Sequence, residues 1–382
     1  MSVETLTEDW TCAFSGQFAD DFRQLVRTLP LDKLERIPPP KNAGLPFGHE
    51  LRIARRLLTG GSSMLDQSGL SRIYLACTAE RVRRLYQGLA LGESLPLAGW
   101  RDMLGHEATA SWIERGLLEP DPGDGFRCRF RLIVLGPLRF VVDHFGFSGG
   151  NRVHIGGDSL NMTEFLQRRV TDTGGAMLDV GTGSGLQLLS LSQRRDLGLG
   201  VDINPRAVRV ASLNVKLNKA ANCRIEERDA FDPAWTPERF RLVTWNLPFM
   251  FFPDDEVAAN VDGHGGHLGI ALTLRFVERL VDLLAPEGVA WLLTSAPVML
   301  DGTNRLEVEL AERTRRCGLE ISTFVLQKYW DRRHAQFHRS HQIRSFESVM
   351  VRIQPGPGGF QRHPPNAVGR SVDWLRTILN ER

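Results

Sequence analysis

The chain has 382 residues and a formal net charge of +2 at pH 7, with 42% hydrophobic and 24% charged residues. This composition excludes a disordered chain and leaves room for two domains, and the small charge gives no overall field that attracts nucleic acid or membranes. The five cysteines lack CxxC spacing, which argues against a zinc site or a disulfide framework. Because the N-terminus lacks a signal-peptide pattern and no apolar stretch has membrane-spanning length, we expect a cytoplasmic protein.

Residues 1–150 are predicted to form a mainly helical N-terminal domain. Apolar residues recur at helical spacing over 17–29, 51–58, 71–89, 97–104 and 108–117. Strand-like runs follow over 127–135 and 138–142, joined by a Gly-Pro turn. Helices followed by a hairpin are typical of a winged helix. The alternative, an irregular α+β cap over a substrate, is favoured because the candidate recognition helix carries a single basic residue, Arg115.

Residues 151–356 are predicted to form a second, α/β domain. Short apolar runs lie at 176–180, 197–201, 223–226, 242–245, 289–294, 320–327 and 348–354. Amphipathic helical stretches, notably 205–218 and 270–284, separate most of them. The alternation predicts a doubly wound, mostly parallel, seven-stranded Rossmann-like sheet. Residues 357–382 are predicted to form a Gly/Pro-rich linker and a short terminal helix over 372–379.

A glycine-rich turn follows the first strand of this domain. The residues predicted there to contact a cofactor are Asp179, Gly181, Thr182, Gly183 and Gly185. Asp202 ends the next strand, where a carboxylate can bind both hydroxyls of a ribose. The third glycine comes one residue earlier than in a dinucleotide fingerprint, and this spacing favours S-adenosylmethionine (SAM) over NAD. Asp179 is then placed to accept a hydrogen bond from the ammonium group of SAM.

Further candidates follow the third and fourth strands. Asp229 and Ala230 are placed to bind an adenine edge, although Asp229 could equally cap a turn. Asn246-Leu247-Pro248-Phe249 follows the fourth strand, at the sheet edge where open α/β folds bind ligands. The Asn246 oxygen and the Leu247 carbonyl can accept two N–H groups, Pro248 restricts Leu247, and Phe249 offers a flat apolar wall. This pattern favours methylation of a nitrogen in a planar amine or amide.

From about residue 158 to 355 the chain resembles the class I SAM-dependent methyltransferases whose motif is N-P-P-F/Y. That group includes release-factor glutamine N5-methyltransferases and rRNA guanine N2-methyltransferases. The resemblance implies SAM as cofactor, an RNA base or a protein glutamine as acceptor, and a Thr-Glu pair near both, which matches Thr163 and Glu164. Leu247 departs from the family, which has proline there, and residues 1–150 do not match the family's helical bundle. The resemblance therefore supports the reaction better than the substrate.

Two other segments are predicted to shape the substrate site, with His267 in the first and Trp330 and Arg333 in the second. The first, 262–267, contains two histidines and an aspartate but no further ligand at metal-binding spacing, so a glycine-rich loop is favoured over a metal site. The second, 328–346, interleaves basic and aromatic residues, which suits an anionic or planar acceptor; the alternative is a solvated loop. Its three histidines share one helical face without supporting ligands, and we expect no metal.

Three functions remain open at this stage. The first is methylation of a nitrogen on RNA or on a protein glutamine. The second is N- or O-methylation of a small metabolite in a specialised biosynthetic pathway, which the small net charge and Leu247 favour. The third, remote, is a SAM-binding regulator that binds DNA through its N-terminal domain.

Overall fold

A computed structural model describes residues 10–14, 16–29, 79–123, 125–144, 152–235, 238–258 and 263–364. The predicted helices over 51–58 and 372–379 lie outside these residues, as do Asp262 and the first part of the predicted helix 71–89. Across the described ranges, no helix has both the length and the apolar character needed to cross a bilayer.

The N-terminal part consists of helices followed by two small antiparallel sheets. Its helices are α1 (Gly16–Thr28), α2 (Glu80–Leu85, continued by a π-helical turn Tyr86–Leu91), α3 (Leu97–Leu104) and α4 (His106–Glu114). Its strands are β1 (Leu118–Asp121), β2 (Gly125–Cys128), β3 (Arg131–Leu135) and β4 (Leu138–Val142). β1 pairs with β2 and β3 with β4. The predicted strand 127–135 is thus two strands, interrupted where the fully buried Phe130 turns into the core.

Aromatic side chains form the centre of this part. The ring of Phe130 lies 5.6 Å from Trp10, 5.7 Å from Phe22 and 5.5 Å from Trp112, measured between ring centroids. Trp112 belongs to α4, so the face of that helix that carries Trp112 is buried in the core. Its neighbour Arg115 lies over the ring of Phe18, with 4.2 Å between guanidinium carbon and ring centroid. The basic residue of the candidate recognition helix therefore contacts its own protein.

The second part is built on one eight-stranded sheet. The strands are β5 (Ala176–Val180), β6 (Leu197–Asp202), β7 (Cys223–Glu227), β8 (Phe240–Asn246), β9 (Leu284–Met299), β10 (Leu319–Tyr329), β11 (Ile343–Pro355) and β12 (Gly359–His363). The helices are α5 (Gly157–Arg169), α6 (Leu186–Leu191), α7 (Pro205–Leu217), α8 (Asp254–Val257), α9 (Ala271–Leu283), α10 (Arg305–Cys317) and α11 (Ala335–Ser340). The strand order is β12-β10-β11-β9-β8-β5-β6-β7.

Strand directions confirm the doubly wound fold. β5 to β9 are parallel to their neighbours among themselves, whereas β11 runs antiparallel to both β9 and β10. The added strand β12 pairs in parallel with β10, so part of the predicted linker belongs to the sheet. Gly356 and Gly358 precede it and allow the tight return of the chain from β11, since Gly358 has a φ of +99°.

Local sequence explains the elements that carry the site. β5 is a short apolar run, buried from Met177 to Val180, as expected for a strand covered by helices on both faces. α7 begins with Pro205 at its first position, and the Asn204 side chain accepts a hydrogen bond from the Arg206 amide to cap the helix. These signals place the glycine-rich turn after β5 and a helix directly after Asp202.

One apolar cluster crosses the boundary between the two predicted domains. The cluster that contains Trp112 and Phe130 extends to Leu186 of α6 and Val210 of α7. A buried ion pair reinforces the junction, because Asp143 lies 2.5 Å from the guanidinium of Arg206. The N-terminal part therefore packs against α6 and α7, the helices that follow β5 and β6.

Candidate active site

The glycine-rich turn between β5 and α6 lies at the carboxyl edge of the parallel strands. Gly181, Gly183 and Gly185 all have positive φ, of +54°, +54° and +78°. A Cβ on Gly181 would lie 2.6 Å from the Trp245 indole nitrogen, so this position requires glycine for space as well as for conformation. The Thr182 amide donates to the Val201 carbonyl over 3.0 Å, which ties the turn to the end of β6.

Asp202 lies against this turn. Its Oδ2 accepts a hydrogen bond from the Gly183 amide over 2.9 Å, and its Oδ1 accepts one from the Asn204 amide over 2.9 Å. Burial raises the pKa of the Asp202 carboxyl above its usual range. The structure thus brings the predicted ribose acid to the predicted cofactor turn, with both oxygens hydrogen-bonded to backbone amides.

Asp179 lies beneath the turn. Its Oδ1 accepts from the Thr244 hydroxyl over 2.7 Å and its Oδ2 from the Thr182 hydroxyl over 2.8 Å. The side chain is buried, and this burial raises its pKa to about 6. The structure therefore places Asp179 as a support of the turn, and at neutral pH it adds a negative charge beneath it.

The side of the site predicted for adenine contains one residue that sequence analysis missed. Asp229 accepts a hydrogen bond from the Phe231 amide over 2.8 Å, as a turn cap does, and Ala230 beside it is buried. Ile203, directly after Asp202, is 67% exposed although it is apolar. An exposed apolar side chain beside Asp202 provides a surface on which a planar group can lie. In the sequence, the position of Ile203 directly after Asp202 was the signal that could have identified it.

The motif from Asn246 to Phe249 leaves the sheet at the end of β8. The Asn246 amide nitrogen donates to the Ser159 hydroxyl over 3.0 Å, and its Oδ1 is buried with no hydrogen-bond partner in the described part of the chain. The Leu247 amide donates to the Leu293 carbonyl on β9 over 3.1 Å, a bond that proline could not make. Strand pairing thus anchors the loop where the resembling family has a rigid ring. Pro248 and Phe249 are partly exposed.

Ser159, in the first turn of α5, was not foreseen as a site residue. Its carbonyl accepts hydrogen bonds from the Thr163 hydroxyl over 2.8 Å and from the Gln187 side chain over 3.0 Å. Thr163 therefore lies one helical turn after Ser159, which is the residue of α5 that contacts Asn246. Glu164 pairs with Arg168 over 2.8 Å. The polar run after Gly156-Gly157 was the signal for this helix start.

Next to Ser159, Asp158 was also missed. Burial raises the pKa of its carboxyl, and its charge acts on the Tyr329 hydroxyl at the end of β10. Tyr329 in turn lies 2.8 Å from the Ser295 hydroxyl on β9. The first turn of α5 and the ends of β9 and β10 therefore contribute polar groups to one region.

The segment from Gly263 to Gly269 clamps the backbone that follows the motif. The Met250 amide donates to the Gly263 carbonyl, and the Gly265 amide donates to the Met250 carbonyl. A Cβ on Gly269 would lie 2.4 Å from the Phe249 carbonyl oxygen. His267 is exposed and its ring centroid lies 6.0 Å from that of Phe251. The described part of this segment thus forms a glycine-rich loop beside the motif.

The segment 328–346 also reaches this edge of the sheet. Within the predicted mostly parallel sheet, β10 is antiparallel to β11, yet it points in the same direction as β8 and β9. The segment therefore emerges at the carboxyl edge of the sheet. Arg333 pairs with Glu256 of α8 over 3.1 Å, and the Trp330 ring lies 5.9 Å from that of His338. Phe337 packs on Phe251, with 4.7 Å between ring centroids.

Comparison with known proteins decides what this arrangement is. Residues 177–263, which include the glycine-rich turn, Asp202 and the motif after β8, match the family model described as a methyltransferase domain. Residues 177–263 are thus similar to a methyltransferase domain.

Two curated relatives are similar to about a third of this chain. A putative protein N5-glutamine methyltransferase of Methanocaldococcus jannaschii is 32% identical over 124 residues, which are 31% of this chain and 61% of that protein. A release factor glutamine methyltransferase of Rhodospirillum rubrum is 33% identical over 135 residues, 32% of this chain and 39% of that protein. The chain thus spans less than two thirds of the length of either relative.

Solved structures with similarity to this chain include two archaeal proteins. Trm5b of Pyrococcus abyssi has a TM-score of 0.41 at 15% identity, with 62% of each chain covered. TYW2 of M. jannaschii, in complex with AdoMet, has a TM-score of 0.38 at 15% identity, covering 59% of this chain and 87% of that chain.

Proposed function

We propose that this protein transfers a methyl group from SAM to a nitrogen of a planar amine or amide. The observation that carries the proposal is the Oδ1 atom of Asn246, which is buried, has no hydrogen-bond partner in the described part of the chain, and lies at the sheet edge next to the cofactor turn. A buried acceptor without a partner costs free energy. An N–H group of the methyl acceptor would remove that cost.

The residues around the turn fit SAM. The backbone of residues 181–185 and the Asp202 carboxylate would hold the ribose and amino-acid parts, while Ile203, Asp229 and Ala230 would flank the adenine. The buried Asp179 would stabilise the positive charge of the cofactor. When bound, SAM supplies an electrophilic methyl group on a sulfonium sulfur.

The motif residues would hold and aim the acceptor nitrogen. Ser159 accepts a hydrogen bond from the Asn246 amide nitrogen and so fixes the side chain, whose buried oxygen would accept one N–H of the acceptor. The Leu247 carbonyl would accept a second, and Phe249 would stack on the planar group. Rate acceleration would then come from orientation and from exclusion of water.

For the acceptor we propose an RNA base or a protein glutamine. The named activities of the two relatives support a protein glutamine. One observation favours a small metabolite instead: the contact of Phe337 with Phe251 lays the segment 328–346 against the loop after the motif, as the wall of a closed pocket would be. A role in DNA binding is not proposed, since the exposed face of α4 carries Glu107 and Glu114, and Arg115 lies over Phe18.

Transfer of a radiolabelled methyl group tests the acceptor class. The purified protein is incubated with labelled SAM and a host-cell extract that is then separated into RNA, protein and small molecules. Label in RNA or protein supports a macromolecular acceptor, and label confined to small molecules supports the metabolite. The same extract without added protein gives the background.

Substitution Asn246→Ala tests the catalytic role of the motif. Turnover is expected to fall by at least 100-fold, because the acceptor loses the group that aims it. SAM affinity, measured by calorimetry, is expected to change by less than about threefold, since the remaining contacts of the cofactor persist. Turnover near the wild-type rate would contradict the assignment of the acceptor site.

A further inference from the structure

We propose that Asp331, His334 and His338 bind a divalent transition-metal ion such as Zn²⁺, which fastens the segment 328–346 to the loop after the motif. The three residues lie between the end of β10 and α11. One potential ligand atom from each lies within 4.8 Å of the others. The proposal does not depend on the proposed function, because it concerns a site whose binding can be measured without methyl transfer.

The ligand atoms converge on one carboxylate oxygen. Oδ2 of Asp331 lies 2.6 Å from Nδ1 of His334 and 3.2 Å from Nε2 of His338. The other oxygen, Oδ1, accepts a hydrogen bond from the Arg333 amide over 3.0 Å, which holds the carboxylate in place. Two imidazoles and a carboxylate are a common ligand set for Zn²⁺ and related ions.

These distances are close to those of a loaded site. Zn–N and Zn–O bonds of about 2.0–2.1 Å in a tetrahedron separate neighbouring ligand atoms by about 3.3 Å. The separation of Asp331 from His338 already has this value, at 3.2 Å. The separation of 2.6 Å from His334 has to open by about 0.7 Å, which a small rotation of the imidazole provides.

The surroundings add an outer carboxylate. Nε2 of His334, on the side of the ring away from Asp331, lies 3.1 Å from Glu256 of α8. Histidine ligands usually donate their second ring N–H to such a carboxylate, which fixes the ring and strengthens the ligand. With Nε2–H directed to Glu256, Nδ1 of His334 is free to bind the ion. The ion would therefore connect the end of β10 to α11, and the His334–Glu256 hydrogen bond would extend this link to α8.

The cluster is largely shielded from water yet reachable. The side chains of His334 and His338 are 5% and 1% exposed, and that of Asp331 is 15% exposed. Phe252 packs on the His334 ring at 5.6 Å and Phe346 on the His338 ring at 4.9 Å. An apolar enclosure strengthens the attraction between ion and carboxylate, and the exposed edge of Asp331 gives the ion a route in.

Cobalt substitution tests the proposal with the full-length protein. The purified protein is dialysed against a chelator, freed of it, and titrated with Co²⁺, whose visible absorption between about 500 and 650 nm reports bound, low-symmetry coordination. We expect one Co²⁺ per chain, displaced by Zn²⁺, and a rise in melting temperature on Zn²⁺ addition. The variants His338→Ala and Asp331→Asn are expected to lose the absorption and the rise.

The matched control is His341→Ala. His341 lies at the end of α11, but its Nδ1 faces the Phe337 carbonyl at 2.9 Å and not the cluster, so this variant is expected to bind Co²⁺ like the wild type. Circular dichroism verifies that each variant is folded. A folded wild-type protein that shows no absorption at 100-fold molar excess of Co²⁺ would overturn the proposal. The three side chains would then form only a hydrogen-bonded cluster. Equal loss of binding in His341→Ala and His338→Ala would overturn the ligand assignment.

Discussion

Two aspartates lie at opposite ends of strand β6, and alanine substitution is expected to affect SAM binding differently at each of them. Asp202→Ala removes the carboxylate at the cofactor turn and is expected to weaken SAM binding roughly 10- to 100-fold, since charge-assisted hydrogen bonds are lost. Asp196→Ala is the control, because Asp196 accepts from the Gly175 amide at the amino end of β6. Calorimetry with SAM compares the two. Equal affinities would remove Asp202 from the cofactor site.

The buried Asp179 predicts how SAM binding depends on pH. Its pKa is raised to about 6 by burial, so the carboxylate is mostly ionised above pH 6 and mostly neutral below it. Because SAM is a cation, binding should be strongest above pH 7 and weaken as the pH falls through 6 toward 5. Asp179→Asn is expected to flatten the part of the profile centred near pH 6. A profile unchanged by that substitution would contradict the electrostatic role of Asp179.

At the scale of elements, a substitution in the glycine-rich loop 263–269 is expected to lower kcat without weakening SAM binding. Gly269→Ala places a methyl group against the Phe249 carbonyl and should displace the motif. We expect kcat to fall roughly 10- to 100-fold, because displacements of about 1 Å have such effects on catalysis, with SAM affinity little changed.

Gly302→Ala is the matched control for that loop. Gly302 also has a positive φ, of +88°, but a Cβ there meets no atom within 4 Å. Both variants therefore carry the same kind of backbone strain, and the contact with Phe249 is the difference between them. If Gly302→Ala lowered kcat as much as Gly269→Ala, strain alone would account for the effect.

Element boundaries show where periodicity succeeds and where it fails. β5 was predicted to the residue, because a short apolar run between glycines has few other solutions. β9 has 16 residues, whereas its apolar centre predicted a strand of six. Pro286–Gly288 and Pro297 lie near its ends, and proline and glycine are not typical of strands. β12 was missed because Gly359–His363 has little apolar character and becomes a strand by pairing with β10.

At the scale of the whole molecule, the junction between the two parts predicts a stability effect. Asp143 binds the Trp10 indole over 2.7 Å as well as Arg206, whose side chain is 9% exposed. Asp143→Asn leaves the buried guanidinium without its carboxylate and is expected to lower the free energy of unfolding by about 3–5 kcal/mol. Urea denaturation measures it.

The control for the junction is an exposed ion pair in the same part of the chain. Asp102, which is 67% exposed, pairs with Arg84 over 2.7 Å. Because water screens such pairs, Asp102→Asn is expected to leave the unfolding midpoint nearly unchanged. Similar midpoints for the two variants would show that the Asp143–Arg206 pair contributes no more than a surface pair.

The sequence by itself determined the fold class and the positions of the glycine-rich turn, Asp202 and the motif after β8. Those features are local, because glycine positions and apolar periodicity act on neighbouring residues. Only the tertiary structure decided which distant side chains meet. Ser159 contacts Asn246 across 87 residues, and Glu256 meets His334 across 78. Such contacts depend on how helices pack on the sheet, and single-sequence patterns do not report that packing.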